Sequence, residues 1–320
     1  MSYILNTIEK IRLYKIFKLN QILDRLGLSK RQYYYIKKAI KITKVETRSN
    51  IKKVISINKI TDTEKEAVIK YALSHTGYRH RELTYRMIDE NIAYLSESSV
   101  YRVLKEANLV QNYKRNHKYG WIHKYSNYAS KPDELWQTDI TYLKYKLKEV
   151  YLLSFIDVYS RYIVLSVLMS NMESDTVSEI FEKYYEKNKT NLKNKPRIQS
   201  DNGSCYVGWE FKQVMDKYML GHDRIHPGTP TENIIIERWH RTFKEILMEQ
   251  EEPKNYEELF DKIKKTVYYY NYKRYHSALG YMPPIMWYRG EPEKLFRDRK
   301  EKLYEARKRR KDYYLGTMLK

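Results

Sequence analysis

Three acidic residues occupy positions where a folded chain could bring their carboxylates together. Asp139 lies inside a β-rich segment, Asp201 directly follows a short strand pattern, and Glu237 lies on an amphipathic helix pattern. A carboxylate buried within a strand is costly unless a cation compensates its charge. Because strand ends and a facing helix can meet, the three residues are candidates for one acidic site.

Each of these acids also has an ordinary structural explanation. The Asp-Asn-Gly run at 201–203 is typical of a turn, because Asn and Gly tolerate positive φ. A Glu on an amphipathic helix is usually at the surface, and an Asp in a strand can serve as a cap. The helix of Glu237 adds weight, since basic residues follow on the same face at i+3, i+4 and i+7: His240, Arg241 and Lys244. Such a stripe suits a metal and a phosphate backbone.

The elements that must position these residues form an α/β pattern from Leu135 onwards. Three β-rich segments separated by short polar breaks predict an antiparallel meander. Alternating helices and short strands then follow, which is typical of a mixed sheet. The predicted strands are 136–145, 150–159, 161–170, 197–200 and 223–226, and the predicted helices are 174–187, 209–219, 233–250 and 256–272.

The charge of the chain is distributed unevenly. Lys and Arg total 61 against 40 Asp and Glu, a net charge of +21. Residues 1–134 hold 27 basic against 13 acidic residues, 135–296 hold 24 against 23, and 297–320 hold 10 against 4. Basic flanks attract a polyanion by releasing its counterions. Solubility alone would not require this asymmetry, so nucleic acid is the favoured partner.

The sequence pattern of residues 1–58 predicts a helix-turn-helix region, with the motif itself between Leu19 and Lys38. An apolar stripe of Ile22, Leu23 and Leu26 precedes a tight turn at Gly27, and Ser29 can cap a second helix that turns Tyr33 and Ile36 inward. The amino end of that helix would meet base edges, which makes DNA-binding candidates of Lys30, Arg31 and Gln32. Any helical hairpin shows the same spacing.

Residues 59–112 predict a second helix-turn-helix region. Helices are expected over 62–74 and 79–90, and Ser96 can cap a third, whose buried stripe is Val100, Val103, Leu104 and Ala107. Its polar face offers Arg102 and Lys105 to DNA, although a solvated charged face fits equally well.

Two further basic segments lack a clear apolar pattern. Residues 113–134 predict a linker that could follow a phosphate backbone. A zinc site at His117 and His123 is disfavoured there, because they are six positions apart with no Cys nearby. Residues 291–320, with a basic run at 307–311, predict an arm that becomes ordered only on binding.

The cysteine content and the apolar runs of the sequence indicate the cellular compartment. The single Cys205 excludes an internal disulfide framework and a multi-Cys zinc site, which indicates a reducing compartment such as the cytoplasm. The apolar runs are too short to cross a bilayer, and charges interrupt the first residues, so neither a membrane span nor a signal peptide is expected.

Several ordered motifs give the sequence a family resemblance. It resembles DDE transposases of bacterial insertion sequences, whose catalytic core is of the retroviral-integrase type. Between Asp201 and Glu237 lie 35 residues, the spacing that marks this family. The matching segments are 136–142, 155–161, 200–204, 232–244 and 270–280, together with Pro284.

The resemblance implies a ribonuclease H-like fold over 135–290, with a mixed five-stranded sheet and flanking helices, preceded by the helical helix-turn-helix DNA-binding region. It implies that Asp139, Asp201 and Glu237 are the catalytic, metal-binding triad for Mg²⁺ or Mn²⁺, with two ions per active site. Glu232 competes with Glu237 but gives the wrong spacing. Lys244 matches a basic residue that touches DNA near the transposon end, and further candidates for DNA contact are Arg241, His240 and Arg274.

The implied function is a transposase that cleaves transposon ends and joins the 3′-hydroxyl to target DNA. The implied partners are those DNAs, a second copy of the chain in the synaptic complex, and a second protein of the same element, with no membrane. A DNA-binding regulator without catalysis is the alternative, and it would require no triad. A structure-specific nuclease is a third class, which the match at 270–280 disfavours.

Overall fold

The computed structural model describes residues 8, 18–35, 37, 59–110, 129–146, 148–226 and 230–318. The chain divides into two compact units, one formed by 1–59 with 317–320 and the other by 60–316. The segment that contains His117 and His123 lies outside the described residues, so the prediction about zinc is not tested. Among the described helices, none is long and apolar enough to cross a membrane.

The smaller unit contains the first predicted helical pair. Helix α1 spans Leu19–Arg25, and residues 30–35 are also helical. Gly27 turns the chain at φ +64, and Ser29 Oγ accepts a hydrogen bond of 3.2 Å from the Gln32 backbone. Leu26 is 47% exposed, so its predicted place in the apolar stripe is wrong: it follows the last helical turn. The buried residues are Ile8, Ile22, Leu23 and Tyr33, while Ile36 and Lys38 lie outside the described residues.

The larger unit begins with three helices: α2 (Asp62–Ser74), α3 (His80–Asp89) and α4 (Glu97–Glu106). Thr61 and Ser96 cap α2 and α4 by accepting backbone hydrogen bonds, each of 3.3 Å. The predicted apolar stripe of α4 is confirmed for Val100, Val103 and Leu104, which are buried against α2 and α3. Ala107, the fourth predicted member, follows the last residue of the helix and is half-buried. DNA binding by either helical region remains a prediction.

A mixed five-stranded sheet follows, as predicted. Its order is β3-β2-β1-β4-β5, in which β1, β2 and β3 are antiparallel neighbours while β4 runs parallel to β1 and β5 to β4. The third strand starts two residues later than predicted, after a turn in which Arg161 has φ +62. The strands are β1 (Leu135–Tyr145), β2 (Lys148–Asp157), β3 (Ile163–Met169), β4 (Arg197–Ser200) and β5 (His222–Arg224).

Helices cover both faces of this sheet. One core packs the sheet against α5 and α7 through residues such as Trp136, Phe155 and Phe181. The other packs it against α8 and α9 through residues such as Ile156, Trp239 and Ile263. This is the predicted ribonuclease H-like arrangement. The helices are α5 (Ser174–Asn188), α6 (Ser204–Val207), α7 (Trp209–Lys217), α8 (Ile234–Met248) and α9 (Tyr256–Tyr272).

The C-terminal segment is helical, so the expectation that it becomes ordered only on binding is wrong. Helix α10 spans Pro284–Tyr288 and α11 spans Pro292–Met318. Buried arginine pairs replace the missing apolar stripe: Arg299 is 3% exposed and holds Asp89, and Arg310 lies 2.6 Å from Glu64. These pairs attach α11 to α2 and α3.

Candidate metal and nucleic-acid site

Two of the predicted acids lie on neighbouring parallel strands in matching register. In the β1–β4 pairing, Trp136 lies opposite Ile198 and Gln137 opposite Gln199. Extending this register by two residues places Asp139 beside Asp201, just past the end of β4. Side chains alternate along a strand, so both acids share the sheet face of Gln137 and Gln199, which is the face beneath α8.

The turn after β4 fixes the orientation of Asp201. The Gly203 backbone N–H donates a 2.9 Å hydrogen bond to Asp201 Oδ1, and Asn202 donates one of 3.0 Å to the carbonyl of Ile225. A Cβ at Gly203 would lie 2.9 Å from the same Oδ1. The Asp-Asn-Gly run is therefore a turn, and it also presents an acid at the strand end.

Asp139 is held by its own strand and by α8. Its Oδ1 accepts a 2.9 Å hydrogen bond from the Ile140 backbone, and its Oδ2 lies 3.3 Å from His240 Nδ1. His240, predicted to contact DNA, is only 6% exposed. Its Nε2 is buried and has no hydrogen-bond partner among the described residues. The imidazole next to Asp139 therefore keeps one ring nitrogen, Nε2, available for a further hydrogen bond.

The third acid is carried by α8, which Gln137 fixes to the sheet. The Gln137 side chain donates to the Glu232 carbonyl at 2.7 Å and to Gln199 Oε1 at 2.8 Å, and it accepts from the Ile236 backbone at 3.2 Å. Ile236 directly precedes Glu237, so these bonds set where the Glu237 side chain starts. Gln137 is not among the site residues predicted from the sequence, although a Gln within an apolar strand is a signal of such a bond.

Asp139 lies within electrostatic range of Glu237, and Asp139 and Asp201 both lie within range of Cys205. The pKa of Glu237 is raised, first by burial and then by the negative charge of Asp139, while Arg241 and His240 oppose the rise. Burial, together with the charges of Asp201 and Asp139, raises the pKa of Cys205 to about 11. Like charges gathered in this way favour a cation among them.

The three carboxylates are suitable ligands for a divalent metal, but they are not yet close enough together to hold one. Three carboxylates supply the oxygen ligands that Mg²⁺ prefers, and two of them are already held by hydrogen bonds. Yet no group of three or more His, Cys, Asp or Glu side chains in the described part of the chain is arranged so that it could hold a metal ion. Loading the site would therefore require Glu237 or its neighbours to move inward.

Glu232, the competing third acid, is engaged elsewhere. It lies in a 3₁₀ turn before α8, and its carboxylate accepts a 3.0 Å hydrogen bond from the His226 backbone. Its Oε1 also lies 3.1 Å from His226 Nδ1. These contacts support Glu237 as the third acid of the site.

The remaining predicted DNA-contacting residues lie in four places. Arg241 is exposed and Lys244 half-buried on the helix of Glu237, and Arg274 is half-buried just past the end of α9. The other candidates are exposed: Arg102 and Lys105 on α4, and Lys30, Arg31 and Gln32 in the smaller unit. The oxygen of the Gln32 side chain is occupied in part, because it accepts a 2.8 Å hydrogen bond from the Ser29 backbone.

Family models of known proteins match the part of the chain that carries the three acids. Residues 129–230 and 219–284 match two family models, each described as an integrase core domain. The transposase for insertion sequence element IS904 of Lactococcus lactis is 29% identical over 157 residues, which cover 49% of this chain and 61% of that protein. The Gag-Pro-Pol polyprotein of human T-cell leukemia virus 3 is 29% identical over 117 residues, 36% of this chain and 8% of that protein.

A solved structure of a retroviral integrase resembles half of the chain. The catalytic core domain of the HTLV-2 integrase, solved in complex with magnesium, has a TM-score of 0.41 and 20% identity, covering 50% of this chain and 98% of that one. The chain spans less than two thirds of the length of the two curated relatives named above. Residues 129–284 are thus similar to integrase core domains. Within that class, the chain resembles DDE transposases of bacterial insertion sequences.

Proposed function

We propose that the protein is a DNA transposase that cleaves the ends of its element and joins the 3′-hydroxyl to target DNA. The observation that carries this proposal is the register of β1 and β4, which sets Asp139 beside Asp201 beneath the helix of Glu237. The integrase-core matches and the similarity to insertion-sequence transposases support the same reaction class. The resemblance and the lone cysteine also support action in the cytoplasm of a bacterial or archaeal cell.

The residues that would hold the metal are Asp139, Asp201 and Glu237. Two divalent ions bound there, Mg²⁺ or Mn²⁺, would supply activation of the attacking oxygen and stabilisation of the leaving oxygen in an in-line displacement. The chain itself orients the ligands: the Ile140 and Gly203 N–H groups each fix one carboxylate oxygen. His240 lies against Asp139 and so positions that carboxylate from within the fold.

Basic residues around this site would bind the DNA backbone. Arg241 and Lys244 follow Glu237 on one side of α8, so a phosphate beside the acids would meet them. Arg274 adds a cation beyond α9. Two further helices would contact the ends of the element: the one that carries Lys30, Arg31 and Gln32, and the one that carries Arg102 and Lys105. Cleavage of paired ends calls for at least two copies of the chain, and a second protein of the element is a further candidate partner.

A regulator that binds DNA without cutting it is the second candidate function. The open geometry of the three carboxylates favours it, since no three ligands are preassembled in the described residues. The two proposals differ in one observable, because only the transposase changes the covalent structure of DNA.

The deciding experiment incubates the purified full chain with duplexes from the flanks of its own gene. Mg²⁺ or Mn²⁺ should yield cleaved ends and, with added target DNA, joined products, while EDTA should abolish both. DNA binding without any product in either metal would support the regulator. Cleaved but never joined ends would indicate a nuclease.

A further inference from the structure

Helix α11 is attached to the helical region along one of its sides. Arg299 and Arg310 form their ion pairs with α3 and α2, and Ala306 between them is 4% exposed. These residues stand at i, i+7 and i+11, so they project from the same side of the helix. The Lys302 side chain adds a 3.3 Å hydrogen bond to the carbonyl of Ile88. The opposite side of α11 therefore points away from α2 and α3.

That opposite side carries a row of exposed cations with one exposed tyrosine among them. Counted from residue 297, its members stand at i, i+3, i+7, i+10, i+11 and i+14, which places them within about 100° around the helix axis and along about 21 Å of its length. We call this row the basic stripe, and its members are Arg297, Lys300, Tyr304, Arg307, Lys308 and Lys311.

The charge of the basic stripe is not neutralised by the part of the chain that the structure describes. None of its five cations forms a hydrogen bond or an ion pair with another described residue. Arg297 and Lys300 are i,i+3 neighbours and Arg307 and Lys311 are i,i+4 neighbours, so like charges repel along the row. The acids of this part of α11 form a separate row beside the stripe: Asp298, Glu301, Glu305 and Asp312.

The length and charge of the basic stripe match the backbone of duplex DNA. A duplex carries one negative charge per about 1.7 Å of its axis, so a row of about 21 Å runs beside about six base pairs. Tyr304, near the middle of the row, is 69% exposed. Its hydroxyl can donate to a phosphate oxygen, as tyrosines do in protein–DNA interfaces. Because α11 is already an ordered helix, binding would cost no folding of this segment.

We propose that the basic stripe of α11 binds the phosphate backbone of duplex DNA without reading its sequence. Contacts from Lys and Arg to phosphates fix the position of a protein on DNA but carry no sequence information. The integrase-core models end at residue 284, so they assign no role to α11. The proposal rests on the proposed function only in that DNA is the substrate, and it holds for a regulator as well.

The test measures the affinity of the full chain for two labelled duplexes of equal length, one from the flank of its gene and one unrelated. Divalent metal is left out so that no cleavage occurs, and the salt concentration is varied. The slope of log K against log salt is about 0.9 per neutralised phosphate, so removing three cations should lower it by up to about 2.7. Affinity for both duplexes should fall by the same factor, about tenfold or more. The triple variant is Arg307→Gln, Lys308→Gln and Lys311→Gln.

Two control variants separate the position of these charges from their number. Three exposed lysines near the start of β4 lie at the end of that strand opposite to Asp201. Their triple change removes the same charge and should alter affinity less than about threefold: Lys187→Gln, Lys193→Gln and Lys195→Gln. The second control keeps every charge of the stripe and should bind like wild type: Arg307→Lys, Lys308→Arg and Lys311→Arg. Gln, Lys and Arg have similar helix propensity, so circular dichroism should show α11 intact in all variants.

The outcomes separate the basic stripe from the proposed function. Equal losses in the two Gln triple variants would mean that only total charge matters, and a loss confined to the flank duplex would mean sequence reading; either overturns the proposal. A change in oligomeric state by light scattering, with DNA affinity unchanged, would assign the stripe to contact between copies and overturn it too. Wild type that cleaves flank DNA, with stripe variants that bind normally, would overturn the stripe alone. Stripe variants that lose affinity, with a wild type that cleaves nothing in Mg²⁺ or Mn²⁺, would uphold the stripe and count against the transposase.

Discussion

Arg299 of α11 holds both carboxylate oxygens of Asp89 at the end of α3. The guanidinium Nε lies 2.7 Å from Oδ1 and an Nη lies 2.6 Å from Oδ2. The same guanidinium donates to the carbonyls of Gly280 and Tyr281, each at 2.7 Å. This arginine therefore joins the helical region, the segment after α9 and the C-terminal helix.

Arg299→Met should destabilise the fold by about 3–5 kcal/mol, because it leaves Asp89, whose side chain is only 13% exposed, without its cation. Urea unfolding measures the loss. The double variant Asp89→Leu with Arg299→Met should recover part of it, and Lys300→Gln, an exposed neighbour on α11, should cost less than about 0.5 kcal/mol. An Arg299→Met protein as stable as Lys300→Gln would show that the pair does not hold α11.

Removing one charge of the proposed triad should stop chemistry but not binding. Asp139→Asn, Asp201→Asn and Glu237→Gln keep the shape of each side chain while weakening a metal ligand, so strand cleavage and joining should fall by about 10³-fold or more. A gel assay with flank duplexes measures products, and anisotropy measures binding. Glu232→Gln is the matched control, and its cleavage should stay close to wild type. A triad variant that cuts at the wild-type rate would remove that residue from the triad.

Gly203→Ala should impair the site from one residue away. The new Cβ would lie 2.9 Å from Asp201 Oδ1, a separation that forces the carboxylate or the turn to shift. Cleavage should fall about tenfold or more, because small displacements of catalytic groups are costly. Gly77→Ala is the control, since a Cβ there meets nothing within 4 Å. Equal cleavage by the two variants would show that the turn at Gly203 does not set Asp201.

The sheet and its helices could be predicted because their patterns are local and strong. The helical periodicity of the apolar residues in 256–272 predicts both ends of α9, and the three β-rich segments predict the antiparallel meander. That α11 is an ordered helix could not be predicted in this way, because Arg299 forms its ion pair with Asp89, which lies some 210 positions away in the sequence. The three acids could be named from motifs, but their approach depends on the parallel register of β1 and β4 and on Gln137, which no spacing along the chain encodes. The burial of His240 likewise depends on how α8 lies on the sheet.

The buried carboxyl group of Asp157 should make the free energy of unfolding depend on pH. It accepts hydrogen bonds from the Asp133 N–H and from Ser160, but burial dominates and raises its pKa from 3.8 to about 6, with the charge of Asp133 adding to the rise. Between these values the folded state binds more protons than the unfolded state, so stability falls as pH rises from about 4 to 6. The contribution amounts to about 3 kcal/mol.

Urea unfolding of wild type and Asp157→Asn across this pH range measures that contribution. The difference in unfolding free energy between the two proteins should shift against wild type as pH rises, and it should be constant above about pH 7. Asp175→Asn, an exposed acid at the start of α5, serves as the control. A difference independent of pH would mean that burial does not hold the proton on Asp157.

Gln137→Leu should uncouple α8 from β1 while nearly preserving side-chain volume. The change removes the hydrogen bonds to the Glu232 carbonyl and from the Ile236 N–H, and it leaves those backbone groups without their partner. The expected loss of stability is about 1–3 kcal/mol. Because Glu237 then lies less firmly over the two aspartates, half-maximal cleavage should require several times more Mg²⁺. Gln213→Leu, on the exposed side of α7, is the control. A variant that loses stability with an unchanged Mg²⁺ requirement would show that Gln137 supports the fold without positioning Glu237.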